Sequence, residues 1–245
     1  MVPGRRPISV PHGDRIKTAL GNAIAEVRPR IAIETGTYDG EGSTKLLINS
    51  FGSNAPESFY TIECSKELHA LAKRRLAIYP YVQCVHGLSV RRAEAIQHIR
   101  NDPWLLRPDE VPNLYGEVPN PQQFYLAEVS CLESGDIEED YLRFLLQKHK
   151  SLPLLIALDS CGGTGLLEFR IVDRTLRSQE YVLLLDDINH VKHYRSFEEV
   201  VRRRDFRVID CDFIDGWLVA VHSPMEAIGV TSSNSSIAYC KCYLD

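Results

Sequence analysis

Four short apolar runs in this chain end in carboxylates. Glu34 follows Ile31-Ala32-Ile33, Glu63 follows Phe59 to Ile62, Asp159 follows Leu154 to Leu158, and Asp186-Asp187 follow Tyr181 to Leu185. Acidic groups gathered on one rim repel one another. They cost stability unless a cation, a ligand's hydroxyls or backbone donors offset the charge. Glu63 lies 29 residues beyond Glu34, one strand-helix-strand step. A carboxylate there can accept both hydrogen bonds of a ribose diol. Straight after Glu34 comes Thr35-Gly36-Thr37-Tyr38-Asp39-Gly40-Glu41-Gly42-Ser43-Thr44. Its three glycines make a turn that lets backbone approach a ligand. They do not read G-x-G-x-x-G, and no Gly-Lys-Ser/Thr occurs, so neither the nicotinamide fingerprint nor a Walker loop is matched.

These residues need elements to hold them. Apolar runs alternating with helical patterns from residue 31 onward predict an α/β chain with a parallel sheet wrapped by helices. Residues 14–27 predict a leading helix, with Asp14 as its cap, Ile16, Leu20, Ile24 and Val27 on one face, and Pro29 ending it. Strands are expected at 31–34, 59–63, 82–86, 154–158 and 181–185. Helices are expected from Ser43 or Thr44 to Phe51, over 65–78, from Ser89 to Ile99 and over 194–204. Two further β runs, 206–214 and 217–222, flank Asp215-Gly216, a strong hairpin signal. The sheet is thus expected to close in an antiparallel pair. Residues 102–150 interrupt the rhythm with several prolines and an amphipathic stretch. This segment reads as a lid or substrate-recognition insertion, or as a peripheral or oligomer contact.

Length and composition narrow the classes. The chain has 245 residues, 27.8 kDa, 44% hydrophobic and 25% charged residues, which suits one α/β domain and excludes a disordered or fibrous chain. A net charge of −5 with scattered basic residues argues against a nucleic-acid binder. No apolar run approaches the ~20 residues of a membrane helix, and no secretory signal opens the chain. The cysteines at 64, 84, 131, 161, 211, 240 and 242 are expected as reduced thiols in a cytoplasmic protein. Cys240-x-Cys242 lacks a partner pair at zinc spacing.

The ordered set of motifs resembles class I S-adenosylmethionine-dependent methyltransferases, over roughly residues 30–222. Glu34 to Gly40 looks like that family's first motif, in which an acid ends strand one and glycines face the methionine part of the cofactor. Glu63 looks like its ribose-binding acid, and Gly87-Leu88-Ser89 stands where the family contacts adenine. The resemblance implies a Rossmann-like, doubly wound, seven-stranded sheet, mostly parallel with a C-terminal antiparallel hairpin. It implies cofactor contacts from Glu34, Gly36, Thr37, Tyr38, Gly40, Ser43, Glu63, Cys64, Leu88, Ser89 and Asp159.

Leu158-Asp159-Ser160-Cys161-Gly162-Gly163-Thr164 and Leu184 to Ile188 resemble, more narrowly, bacterial O-methyltransferases of polysaccharide and natural-product pathways, macrolide-sugar and cephalosporin-type enzymes among them. Asp159, Asp186 and Asp187 match the positions that hold Mg²⁺ in the metal-dependent members, where the metal would orient a diol and lower a hydroxyl pKa. Relatives often carry a histidine shortly after the strand-four Asp, and this chain has none there. His190 and His193 are then the nearest candidate bases, beside Asp159. Tyr194, Arg195 and Trp104 are candidates for the acceptor pocket, and Cys161 for a nucleophile in a hydrolase reading. The expected partner is a small-molecule hydroxyl acceptor, and self-association is open. The alternatives are a nicotinamide-dependent oxidoreductase and a non-catalytic cofactor- or partner-binding protein of the same fold.

Overall fold

The computed structural model describes residues 13–108, 118, 120–131, 137–160 and 163–224. Cys161, Cys240 and Cys242 lie outside them. The elements in chain order begin with α1 (Asp14–Val27), β1 (Ile31–Thr35), α2 (Ser43–Phe51), β2 (Ser58–Glu63), α3 (Lys66–Arg75) and β3 (Val82–His86). Among the described residues, four helices follow before the next strand: α4 (Arg92–Asn101), α5 (Pro103–Leu106), α6 (Pro121–Cys131) and α7 (Tyr141–His149). The chain then gives β4 (Leu154–Leu158), α8 (Gly165–Thr175), β5 (Tyr181–Asp186), α9 (Tyr194–Arg202), β6 (Phe206–Asp212) and β7 (Trp217–His222).

The seven strands form one sheet in the order β3-β2-β1-β4-β5-β7-β6. The first five are parallel, and β7 runs antiparallel to both β5 and β6. This is the sheet expected from the sequence. Gly216, at φ 81, turns the closing hairpin.

The central strands read as continuous apolar runs because both of their faces are buried. Ile31, Ile33, Leu154, Ile156, Leu158, Leu183 and Leu185 pack into one core, which also takes residues of α4 to α9. Ala32, Leu155, Ala157, Val182, Leu184 and Val219 face the other core, made with α1, α2 and α3. Each fully buried Leu or Ile contributes roughly 1.5–3 kcal/mol.

α1 buries Ile16, Ala19, Leu20, Ala23, Ile24 and Val27. Its N-cap is Gly13 rather than Asp14, which opens the first turn. Arg28 ends the helix in the left-handed region, donating its N–H to the Ile24 carbonyl.

The described helices between β3 and β4 pack on the rest of the fold. α7 packs on β1 and α8 as the helix leading into β4. α4, α5 and α6 pack on one another, and Tyr125 and Val129 of α6 enter the core.

The chain winds outward from β1 to β3, then returns to place β4 on the other side of β1. The carboxyl ends of β1 and β4 are therefore the topological switch point, where open α/β sheets bind ligands.

Candidate active site

At the switch point the loops after β1 and β4 touch. Gly36 has φ 85, and a Cβ on it would lie 2.1 Å from the Asp159 carbonyl oxygen. Only glycine fits. Gly36 N–H donates to Ile62 O (3.0 Å), and Asp159 N–H donates to Thr35 O (3.1 Å), so β1, β2 and β4 share one rim.

Glu34 is fully buried beneath this rim. Its carboxylate accepts from Ser43 Oγ (2.8 Å), Thr44 Oγ1 (2.6 Å) and Thr61 Oγ1 (2.6 Å). Thr61 has one hydroxyl proton and gives it to Glu34, so Thr37 Oγ1 donates to Thr61 Oγ1 (2.5 Å). Burial pushes Glu34 up to about 7, against the lowering effect of these hydroxyls. Glu34 thus pins the glycine loop and the first turn of α2. Ser43, expected at the cofactor, is a partner of Glu34.

Glu63 at the tip of β2 is 7% exposed. Oε2 accepts the Tyr38 N–H (2.8 Å), and Oε1 accepts the Ser65 N–H (2.8 Å) and, more distantly, Cys64 Sγ (3.6 Å). Burial raises its pKa while these donors oppose the rise. A carboxylate has about four acceptor positions. The Tyr38 and Ser65 N–H groups fix its plane, the Cys64 backbone also donates to it, and the long Cys64 thiol contact is the one a ligand hydroxyl would displace. That donor set fits a vicinal diol. Tyr38, held at φ 53, is 56% exposed.

Beyond β3 the structure departs from expectation. Residues 138–142 cross Gly87-Leu88-Ser89. Leu88 N–H donates to Glu138 O (2.9 Å), and Leu88 O and Ser89 O accept from Tyr141 N–H and Leu142 N–H (both 3.0 Å). Ser89 Oγ donates to the buried Glu168, and the Leu88 side chain is buried. Both carbonyls, the Leu88 N–H and the Ser89 hydroxyl of this expected adenine-contact segment thus have partners within the chain.

The ends of β4 and β5 bring Asp159, Asp186 and Asp187 together, with one carboxylate oxygen of each within 4.8 Å of the others. Asp187 is held at φ 56. Into this cluster reaches Lys192, a residue that sequence reasoning passed over. Its side chain is 4% exposed, and Nζ lies 2.8 Å from Asp159 Oδ1 and 2.7 Å from Asp187 Oδ2. Burial would lower the ammonium pKa, but Asp159, Asp187 and Asp186 together hold it well above the usual lysine value. Burial, with Asp159 next, drives Asp186 well above its ordinary value. Burial alone would raise Asp187, yet the ammonium's charge and hydrogen bond bring it below its ordinary value.

The candidate bases fare differently. His190 is half-buried, and its Nδ1 accepts the Lys192 backbone N–H (3.2 Å). The neutral ring then carries its proton on Nε2, 3.2 Å from Tyr125 Oη. Both ring nitrogens are engaged. His193 is fully buried, with Nδ1 3.3 Å from Ser196 Oγ, and burial holds its pKa well below the usual imidazole value. Its ring, expected as a candidate base, is thus enclosed by the fold. Arg195 pairs with buried Asp102 and lies 5.0 Å over the Trp104 ring, which also packs against Tyr194. These candidates for an acceptor pocket hold α5 against α9.

No family model matches the chain, and no curated protein does. Among solved structures, it is similar to an O-methyltransferase from Bacillus cereus in complex with SAH, at 14% identity, covering 91% of this chain and 94% of that one, TM-score 0.46. The O-methyltransferase TomG from Streptomyces achromogenes, involved in tomaymycin synthesis and solved with SAM, gives 15%, 87%, 82% and 0.48. A putative O-methyltransferase from Klebsiella pneumoniae gives 14%, 91%, 92% and 0.46. At such identities and scores the likeness carries none of the neighbours' chemistry to this chain.

Two more site residues escaped sequence reasoning. Glu168 lies on α8, a helix not singled out in the sequence, and accepts from Thr35 Oγ1 (2.9 Å) and Ser89. Tyr125 comes from α6, far away along the chain. Cys64 and Cys84 are free thiols, as expected. Among the described residues, no helix is long and apolar enough to cross a membrane.

Proposed function

We propose that the chain is an S-adenosylmethionine-dependent methyltransferase acting on a hydroxyl of a small molecule or sugar. One observation carries this reading. The Glu63 carboxylate at the tip of β2 is aimed by the Tyr38 and Ser65 backbone N–H groups beside the glycine loop, where a ribose diol would take the place of the long Cys64 thiol contact. The strand order and reversed last strand support it, being the sheet that the motif resemblance implies.

Bound S-adenosylmethionine would supply an electrophilic methyl group on a sulfonium. Glu63 would hold the ribose, and Gly36 and Gly40 would let the loop approach the methionine end. Asp159, the half-buried carboxylate at the switch point, would accept the hydrogen bond of the acceptor hydroxyl. Asp159 would take the hydroxyl proton as the methyl leaves the sulfonium, whose sulfur departs as the neutral thioether of S-adenosylhomocysteine. Positioning supplies most of the rate enhancement in such a displacement.

Calorimetric titration with S-adenosylhomocysteine and with NADH tests the reading. Binding of the former alone is expected. Binding of NADH alone would replace the proposal with the oxidoreductase alternative.

A non-catalytic protein of this fold is the second reading. The observation that favours it is the crossing of Gly87-Leu88-Ser89 by residues 138–142. Cofactor binding without methyl transfer to any hydroxyl compound would support it.

A further inference from the structure

The sequence resemblance places a divalent ion between Asp159, Asp186 and Asp187, and the structure places a lysine there. We propose that Lys192 is the built-in cation of this rim and excludes a divalent metal from it. The donor set does not fit the metal as it stands. Magnesium needs oxygens at ~2.0–2.1 Å in octahedral array. Here Nζ already lies 2.8 Å from Asp159 and 2.7 Å from Asp187, between two of the three carboxylates a metal would use. A second cation in that space would face a fixed positive charge at contact distance, in a buried setting where charge is poorly screened.

The surrounding chain is shaped for the lysine. Gly165, the first residue of α8, has no side chain where the lysine passes. A Cβ there would lie 2.5 Å from the Lys192 carbonyl oxygen and 2.7 Å from its Cγ. At its other end the residue is fixed by its N–H to His190 Nδ1. Lys192 thus does a metal's holding work: it draws Asp159 and Asp187 together and keeps Asp159 at the switch point. It is a positioning residue.

The inference takes from the methyltransferase reading only the expectation of a metal, and its test needs no cofactor. The full chain is melted in chelator and in Mg²⁺, Mn²⁺ or Ca²⁺, as wild type and as Lys192→Met and Lys192→Ala. The wild-type midpoint should not move with any ion. The variants leave three carboxylates facing each other, and should gain about 5–10 °C at a metal concentration ~100-fold above the dissociation constant. Lys192→Met keeps the volume of the stem, so a cavity does not confuse the result. If a variant folds only when an ion is supplied, the proposal stands. A divalent-dependent rise in the wild type overturns it. So does a variant that no ion stabilises or rescues.

Discussion

Glu34 and Glu63 share a residue type and a position at a strand end, but their surroundings give them different work. Glu34 is sealed under the rim, and burial pushes its pKa from 4.5 up to about 7. A raised carboxyl pKa makes folding favour the protonated form. Its contribution to stability is complete below pH ~4.5 and is lost as pH rises to ~7, by about 3 kcal/mol. Between pH 5 and 8 the wild type should therefore lose more stability than Glu34→Gln. Denaturant titrations across that range check the difference, and parallel slopes for the two proteins would refute it. Glu63 has a long Cys64 thiol contact that a ligand hydroxyl would displace. Glu63→Gln should weaken S-adenosylhomocysteine ~10- to 100-fold in calorimetry, the range for a lost hydrogen bond to a charged group.

At the scale of elements, the site depends on how closely the loops after β1 and β4 approach. Gly36 permits that approach, through its positive φ and its missing side chain. Gly36→Ala should cost about 2–4 kcal/mol, combining left-handed strain with the clash on Asp159. It should also abolish S-adenosylhomocysteine binding in whatever protein still folds. A chemical-denaturation midpoint near wild type would show that the loop has room to spare. Gly42 is the internal comparison. A Cβ on it would meet nothing within 4 Å, so Gly42→Ala should leave the midpoint nearly unchanged.

Across the whole molecule, segments distant in sequence are tied together over the sheet. Asp102, at the start of α5, is buried and accepts two bonds from Arg195 of α9, while also capping the N–H of Trp104. Removing one partner of a buried pair leaves the other charge uncompensated. Asp102→Ala should destabilise the fold by about 3 kcal/mol, and adding Arg195→Met should recover part of that loss. Urea unfolding of the two single variants and the double variant measures the coupling. Strictly additive losses would mean that the pair is not coupled.

The sheet was legible in the sequence because strands buried on both faces leave unbroken apolar runs, and Asp215-Gly216 marks the hairpin. The rim carboxylates were legible too, since each ends such a run. Lys192 was not. It falls in an irregular turn after β5, and nothing in its neighbours in sequence says that its stem passes α8 to reach Asp159, 33 residues back. Nor did any local signal show residues 138–142 crossing Gly87-Leu88-Ser89. Periodicity and turn chemistry are short-range properties of the chain, so they write the elements and the ends of the elements. Which charge meets which carboxylate depends on how two loops pack across a sheet, and that is decided only when the chain is folded.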